Sequence, residues 1–174
     1  ADSDLLINLK RALRDLGDPF LPLVVVPREL RLLIVSAKIR IDPDQRWEPV
    51  ATRVRDALLD AFGFERMELA RGVASSRVLS VMQAVRGVSW VDLDAFGAID
   101  TMVTPTTGAR RLLTPAELSA AVAKVVATVA TDGVAPAVQS QRARRDSRTA
   151  LILPAQLVLL SPDAPETLVL NQLK

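Results

Sequence analysis

The sequence predicts an α+β domain. Its sheet is small, mixed or antiparallel, with helices packed mainly on one face and a β-hairpin at the C-terminus. Two observations carry this. Residues 30–96 read strand, helix, helix, strand with few residues between them. Residues 151–170 then read as two short strands around the turn Ser161-Pro162-Asp163-Ala164-Pro165. Two strands and two helices of this kind bury one another in two layers. The expected divisions are a helix and short apolar strand in 1–29, the central unit in 30–96, and a loop, helix, basic loop and hairpin in 97–174. Together they form one compact domain.

The first central strand spans 31–41. Leu33, Val35, Ala37, Ile39 and Ile41 alternate with Ser36, Lys38, Arg40 and Asp42, which marks a sheet with one buried face. Leu32 and Ile34 interrupt the polar face, so this end is expected to be covered on both sides. A helix follows from Trp47 to Phe62, with Val50, Val54, Ala57, Leu58, Ala61 and Phe62 on one stripe. Pro49 fits only its first turn, and Gly63 is expected in the left-handed position that ends it. Ser75 or Ser76 is expected to cap the second helix, whose stripe is Val78, Val81, Met82 and Val85. Residues 88–96 form the second strand, with Val91, Leu93 and Ala95 on one side and Trp90, Asp92 and Asp94 on the other.

Before this unit, residues 3–16 form an amphipathic helix with Leu6, Leu9, Leu13 and Leu16 on its stripe; Asp2 or Ser3 is expected to cap it. Residues 21–26 read as a short apolar strand, placed at an edge by Pro22 and Pro27. A strand apolar on both faces needs two covers, one of them from another chain or another part of this one. After the unit, Thr104-Pro105-Thr106-Thr107-Gly108 reads as a turn. Thr114-Pro115-Ala116-Glu117 is a capping box with proline at the first helical position. The helix it opens carries Leu118, Val122, Val125, Val126 and Val129 and is expected to end near Gly133. Residues 139–148 hold Arg142, Arg144, Arg145 and Arg148 and read as a mobile loop.

Composition excludes several chemistries. The chain has 174 residues, no cysteine, no histidine and no tyrosine. Disulfides, zinc–thiolate sites, thiol nucleophiles, histidine triads and histidine-ligated metals are therefore ruled out. A net charge of +2 with both signs interspersed does not argue for nucleic acid. No apolar run approaches the ~20 residues of a membrane helix, so no membrane partner is expected. The chain begins with alanine, which points to a piece of something longer.

The remaining candidates each have a structural explanation. Asp42, Asp44 and Glu48 are carboxylates near one another, a divalent-cation or acid–base pattern. Asp-Pro-Asp between a strand and a helix is also ordinary turn chemistry. Asp92, Asp94 and Asp100 alternate as the wet face of a strand does. Ser75 and Ser76 have no partner base in the sequence. The glycines form no phosphate-cradling loop. The arginines at 142–148 suit phosphate or an acidic partner, or simply a solvated loop. Trp47 and Trp90 share no basic aromatic face, so a single-strand stacking platform is not supported.

Several ordered stretches carry a resemblance. They are Leu16-Gly17-Asp18-Pro19; Pro22 to Pro27; Ala37-Lys38-Ile39-Arg40-Ile41-Asp42-Pro43-Asp44; Trp47-Glu48-Pro49-Val50; and Ala57 to Phe64. The set continues with Val81 to Val88, Leu113-Thr114-Pro115-Ala116-Glu117-Leu118, Pro154-Ala155-Gln156-Leu157 and Ser161-Pro162-Asp163. In this order they resemble the C-terminal part of baseplate J-like proteins, the wedge components of contractile phage tails and related injection systems. Arg77 stands where that family's pattern has an acidic residue after the capping serine.

The resemblance implies a structural, non-enzymatic protein with no cofactor, no metal and no catalytic residue. Its implied partners are other baseplate wedge proteins and copies of itself, in a phage virion or injection particle assembled in the bacterial cytoplasm. The candidate interface residues are Leu21, Val24, Val25 and Val26, with Arg142, Arg144 and Arg145. Two other readings stay open. One is a stand-alone ferredoxin-like module binding peptide or RNA, expected to be a clean monomer. The other is a small enzyme using carboxylates alone, expected to be stabilised by metal.

Overall fold

The computed structural model describes residues 3–18, 20, 23–103 and 111–173. Asp2, Leu21, Pro22 and the turn 104–108, named above from the sequence, lie outside them. The fold is α+β. In chain order the helices are α1 (Asp4–Leu16), α2 (Trp47–Phe62), α3 (Ser75–Gln83) and α4 (Pro115–Asp132). The long strands are β1 (Glu29–Ile41) and β3 (Val88–Asp100). The short ones are β2 (Val73–Ala74), β4 (Met102–Val103), β5 (Arg111–Leu112), β6 (Ala137–Val138), β7 (Arg144–Arg145), β8 (Ile152–Leu153), β9 (Gln156–Leu159) and β10 (Leu168–Gln172).

β1 is the centre. β3 runs antiparallel along one side of it. On the other side β9 pairs with its first residues and β10 with its later ones, both parallel to it. The C-terminal pair of strands is therefore present, with a turn between them, but laid end to end along β1 rather than folded back on each other. Pro154 separates β8 from β9, and the two strands belong to different sheets.

The core-facing residues of β1 are Leu33, Val35, Ala37 and Ile39, all fully buried. They meet Val50, Val54, Leu58 and Phe62 of α2 and Val78 and Met82 of α3 in one cluster, completed by Val91 and Leu93 of β3. Of the other apolar positions that periodicity assigned to this unit, Ile41, Ala61, Val81 and Val85 pack against the cluster partly buried, while Ala57 and Ala95 do not join it. At ~1.5–3 kcal/mol for each large aliphatic side chain, this cluster dominates the stability of the domain.

Several local expectations are corrected. β3 bulges at Asp94, since Ser36 pairs with Ala95 while Ala37 pairs with Leu93. An extra residue in one strand reverses the side-chain alternation beyond it. Phe96, not Ala95, therefore joins Val91 and Leu93 in the core, and Ala95 is buried on the opposite face. That face is covered by α4, so the helices lie on both sides of the sheet. Gly97 pairs with Ile34 beneath α4, and a Cβ on it would lie 2.7 Å from Cγ1 of Val125. Gly63 is not left-handed but extended (φ −70°, ψ 168°). Glycine suits it because an added Cβ would lie 2.4 Å from the Leu59 carbonyl oxygen. α3 has Ala74 at its N-cap, and Ser75 Oγ donates to the Pro136 carbonyl instead of capping. Ser3 occupies the N-cap of α1 without a side-chain bond.

Two further stretches differ from expectation. Residues 23–28 form no strand. Their apolar run, read as an edge strand, has no alternation to fit it to one face of a ladder. Residues 139–148 are not a structureless loop. Arg31 Nη1 donates to the Gln139 carbonyl at 2.7 Å, Gln156 N donates to the Gln141 carbonyl, and Ser140 Oγ donates to the Gln156 carbonyl. β7 then pairs antiparallel with β8. The turn between them is held by Asp146, whose Oδ1 accepts the backbone N–H groups of Arg148 and Thr149.

Candidate interface

The acidic candidates are accounted for by local structure. At the β1–α2 junction Gln45 N donates to the Asp42 carbonyl and Gln45 Nε2 to Asp44 Oδ2 at 3.3 Å. Glu48 opens α2, where a negative charge suits the positive end of the helix dipole. On the second face of the sheet, Lys38 Nζ bonds Asp94 at 2.8 Å, and this bond raises the lysine pKa. Arg31 Nε bonds Asp100 at the same distance. Each aspartate answers a basic residue of β1, but Arg31 shares the face of Leu33 and Val35, so the two pairs lie on opposite faces of the sheet. Among the described residues no group of three potential ligands is placed to hold a metal ion.

Ser75 is engaged with a backbone carbonyl, and no buried side-chain polar atom among the described residues lacks a partner. Trp47 packs against the core, whereas Trp90 is half-exposed opposite Arg40. The two indoles serve different surroundings and form no shared platform.

The best-formed polar cluster supports a helix end. Thr114 Oγ1 accepts from Glu117 N, and Thr114 N donates to Glu117 Oε2 at 2.8 Å, completing the capping box. Arg111 grips the same carboxylate with both terminal nitrogens, at 2.7 and 2.8 Å. The Arg111 bond, followed by those from Thr114, lowers the Glu117 pKa to about 2. Bidentate geometry accounts for the size of this effect on an otherwise wet group.

The apolar surface at the N-terminus is different in kind. None of the residues of α1 is buried. Leu5 is 79% exposed and Leu16 89%, and Phe20 beyond the helix is 91% exposed. α1 and the extended segment after it border a cleft of about 570 Å³, lined by Lys10, Leu13, Arg14, Gly17, Asp18, Leu23, Val24 and Val25. Val24 is 63% exposed, Val26 37% and Val25 intermediate. The valines expected at an interface are thus at the surface, and Leu21 lies outside the described residues. Arg142, Arg144 and Arg145 are also exposed, but they belong to the β7–β8 hairpin and its approach and do not line this cleft. The two halves of the expected interface are separate features.

Leu5 and Phe20 were missed as surface candidates. Leu5 precedes Leu6 and widens the stripe of α1 beyond what a single neighbour covers, a signal that is legible in the sequence. Phe20 carries no such signal, because an isolated aromatic between two prolines reads equally as core.

No family model, curated protein or solved structure matches the chain.

Proposed function

We propose that the chain is a structural module of a contractile-tail baseplate, acting by assembly rather than by catalysis. The observation that carries this is the contrast between a fully packed core and an N-terminal apolar surface with no buried residue. Large apolar side chains grouped at a surface mark a protein contact. The polar clusters add no competing chemistry: each does the work of a cap, a turn or a cross-strand pair. The ordered resemblance to baseplate J-like wedge proteins supplies the assembly. On this reading the partners are neighbouring wedge proteins and further copies of this chain, in a particle assembled in the bacterial cytoplasm.

The test is location. An affinity tag on the protein that carries this chain, imaged on purified contractile particles, is expected at the baseplate end of the tail. Deleting the residues of this chain is expected to leave tails without a complete baseplate. Particles that assemble normally without it, or that never contain it, overturn the proposal.

A further inference from the structure

The central sheet has one guarded edge and one unguarded edge. Along β3 the bulge at Asp94 and the carboxylates of Asp92, Asp94 and Asp100 oppose the addition of a further strand. β10 has no charge, no proline and no bulge. Leu173 N donates to the Ile39 carbonyl, and alternate residues of a strand bond the same neighbour. The backbone groups of Val169 and Asn171 therefore face β1. Those of Leu170 and Gln172 face away from it, where no strand pairs with them among the described residues. This edge is apolar on both faces. Leu170 packs half-buried beside the core, and Val169, on the opposite face, is 41% exposed. A strand that covers both must be apolar on both of its own faces.

Leu23, Val24, Val25 and Val26 are such a run. Valine favours strands, yet these residues form neither helix nor strand and have no backbone hydrogen bond among the described residues. Four residues are no fewer than β9 has, and Pro22 and Pro27 bound the run at both ends. The segment cannot serve its own β10. That strand begins level with Val35, about 20 Å along β1 from Glu29, whereas Val26 can lie at most about 11 Å from Glu29. One chain thus carries a strand-forming run without a ladder and a ladder edge without a strand, which only two copies can bring together. We propose that residues 23–26 of one copy add to the outer edge of β10 in another. This deepens the assembly reading by naming one partner, but it requires no baseplate. Donor and acceptor are different surfaces, so copies joined this way form a reciprocal dimer, a ring or a chain. A joint this short is concentration-dependent in solution and is strengthened where other contacts hold the copies together.

Sedimentation of this chain at rising concentration is expected to show monomers giving way to dimers or larger species. A monomer at every concentration overturns the proposal. Val24→Lys spoils the donor and Val169→Lys the edge. Each is expected to weaken self-association about tenfold or more, because a charge must be buried against an apolar strand, with an unchanged melting temperature. Unchanged association in either variant overturns the pairing. Should one of them unfold, Leu23→Lys or Asn171→Lys takes its place, since both positions are exposed. The deciding measurement is an equal mixture of the two variants. The Val169→Lys chain keeps an intact donor and the Val24→Lys chain an intact edge, so the mixture is expected to recover association that neither variant shows alone. If the mixture stays as weak as its components, the contact joins like surfaces, β10 with β10 or 23–26 with 23–26, and the proposal is overturned. Oligomers of a chain that never enters a baseplate would sink the baseplate reading alone, and a chain found in the baseplate but monomeric in solution would sink this one alone.

Discussion

The unit 29–100 and the segment 3–28 are both rich in aliphatic side chains, regularly spaced in β1 and in α1, yet they end in opposite environments. In the first, Leu33, Val35, Ile39, Val54 and Leu58 are fully buried. In the second, α1 buries none of its residues and Val24 is 63% exposed. Their periodicity is comparably clear. What differs is the supply of a complementary face: β1 has β3, β9 and β10 beside it and helices on both sides, while among the described residues α1 shares its cleft with the short extended segment at Leu23, Val24 and Val25. Periodicity identifies which face of an element is apolar. Whether that face is buried depends on what else is there.

The largest effect expected from this comparison is in the core. Leu58→Ala should destabilise by ~2–5 kcal/mol through the cavity it leaves, whereas Leu16→Ala in α1 should stay within about 0.5 kcal/mol. Chemical denaturation of both variants checks this, and equal losses would erase the distinction between the regions. Next is Gly97→Ala. Its methyl would press on Val125 of α4, a stiff side chain, and overpacking of this kind costs ~1–3 kcal/mol. A loss near zero would mean that α4 rests loosely on the second face, making that face more like the N-terminal surface.

Thr114→Ala removes a bond at the start of α4 and should cost ~0.5–2 kcal/mol in the same measurement. Glu117 adds a pH dependence. Its folded-state pKa of about 2 lies below the ordinary 4.5, so its contribution is present above about 4.5 and is lost as pH falls toward about 2. The melting-temperature gap between the wild type and Glu117→Gln should therefore close across that window. A gap that stays constant would show that the Arg111–Glu117 pair does not hold α4. The smallest effect is at Ala70, which has a φ of 63°. Ala70→Gly relieves left-handed strain at an entropic cost to folding, for a net gain of about 0.5 kcal/mol. A clear loss on thermal denaturation would show that the Ala70 methyl is packed.

Most of the central unit was legible because its information is local. Alternation along β1, the stripe of α2 from Trp47 to Phe62 and the Thr114–Glu117 box each depend on residues a few positions apart. The candidate interface was legible only in part. The valines at 24–26 stood out as an apolar run, but the run suggested a strand that does not form. The arginines at 142–148 were visible as charge, while the hydrogen bonds that tie their segment to Arg31 and Gln156 come from residues far away in sequence.

By itself, then, the sequence determined which faces of β1, α2 and α3 are apolar, where α4 begins, and that no thiol or imidazole chemistry is available. Tertiary structure alone decided that β3 bulges at Asp94 and turns Phe96 into the core, that α4 takes the second face over Gly97, and that β9 and β10 lie end to end along β1. It also left α1 uncovered along Leu5, Leu9, Ala12 and Leu16. The physical reason is one of range. Backbone conformation and side-chain spacing act within a turn or a few strand residues, whereas ladder partners, bulges and covering layers are selected among surfaces contributed by distant parts of the chain.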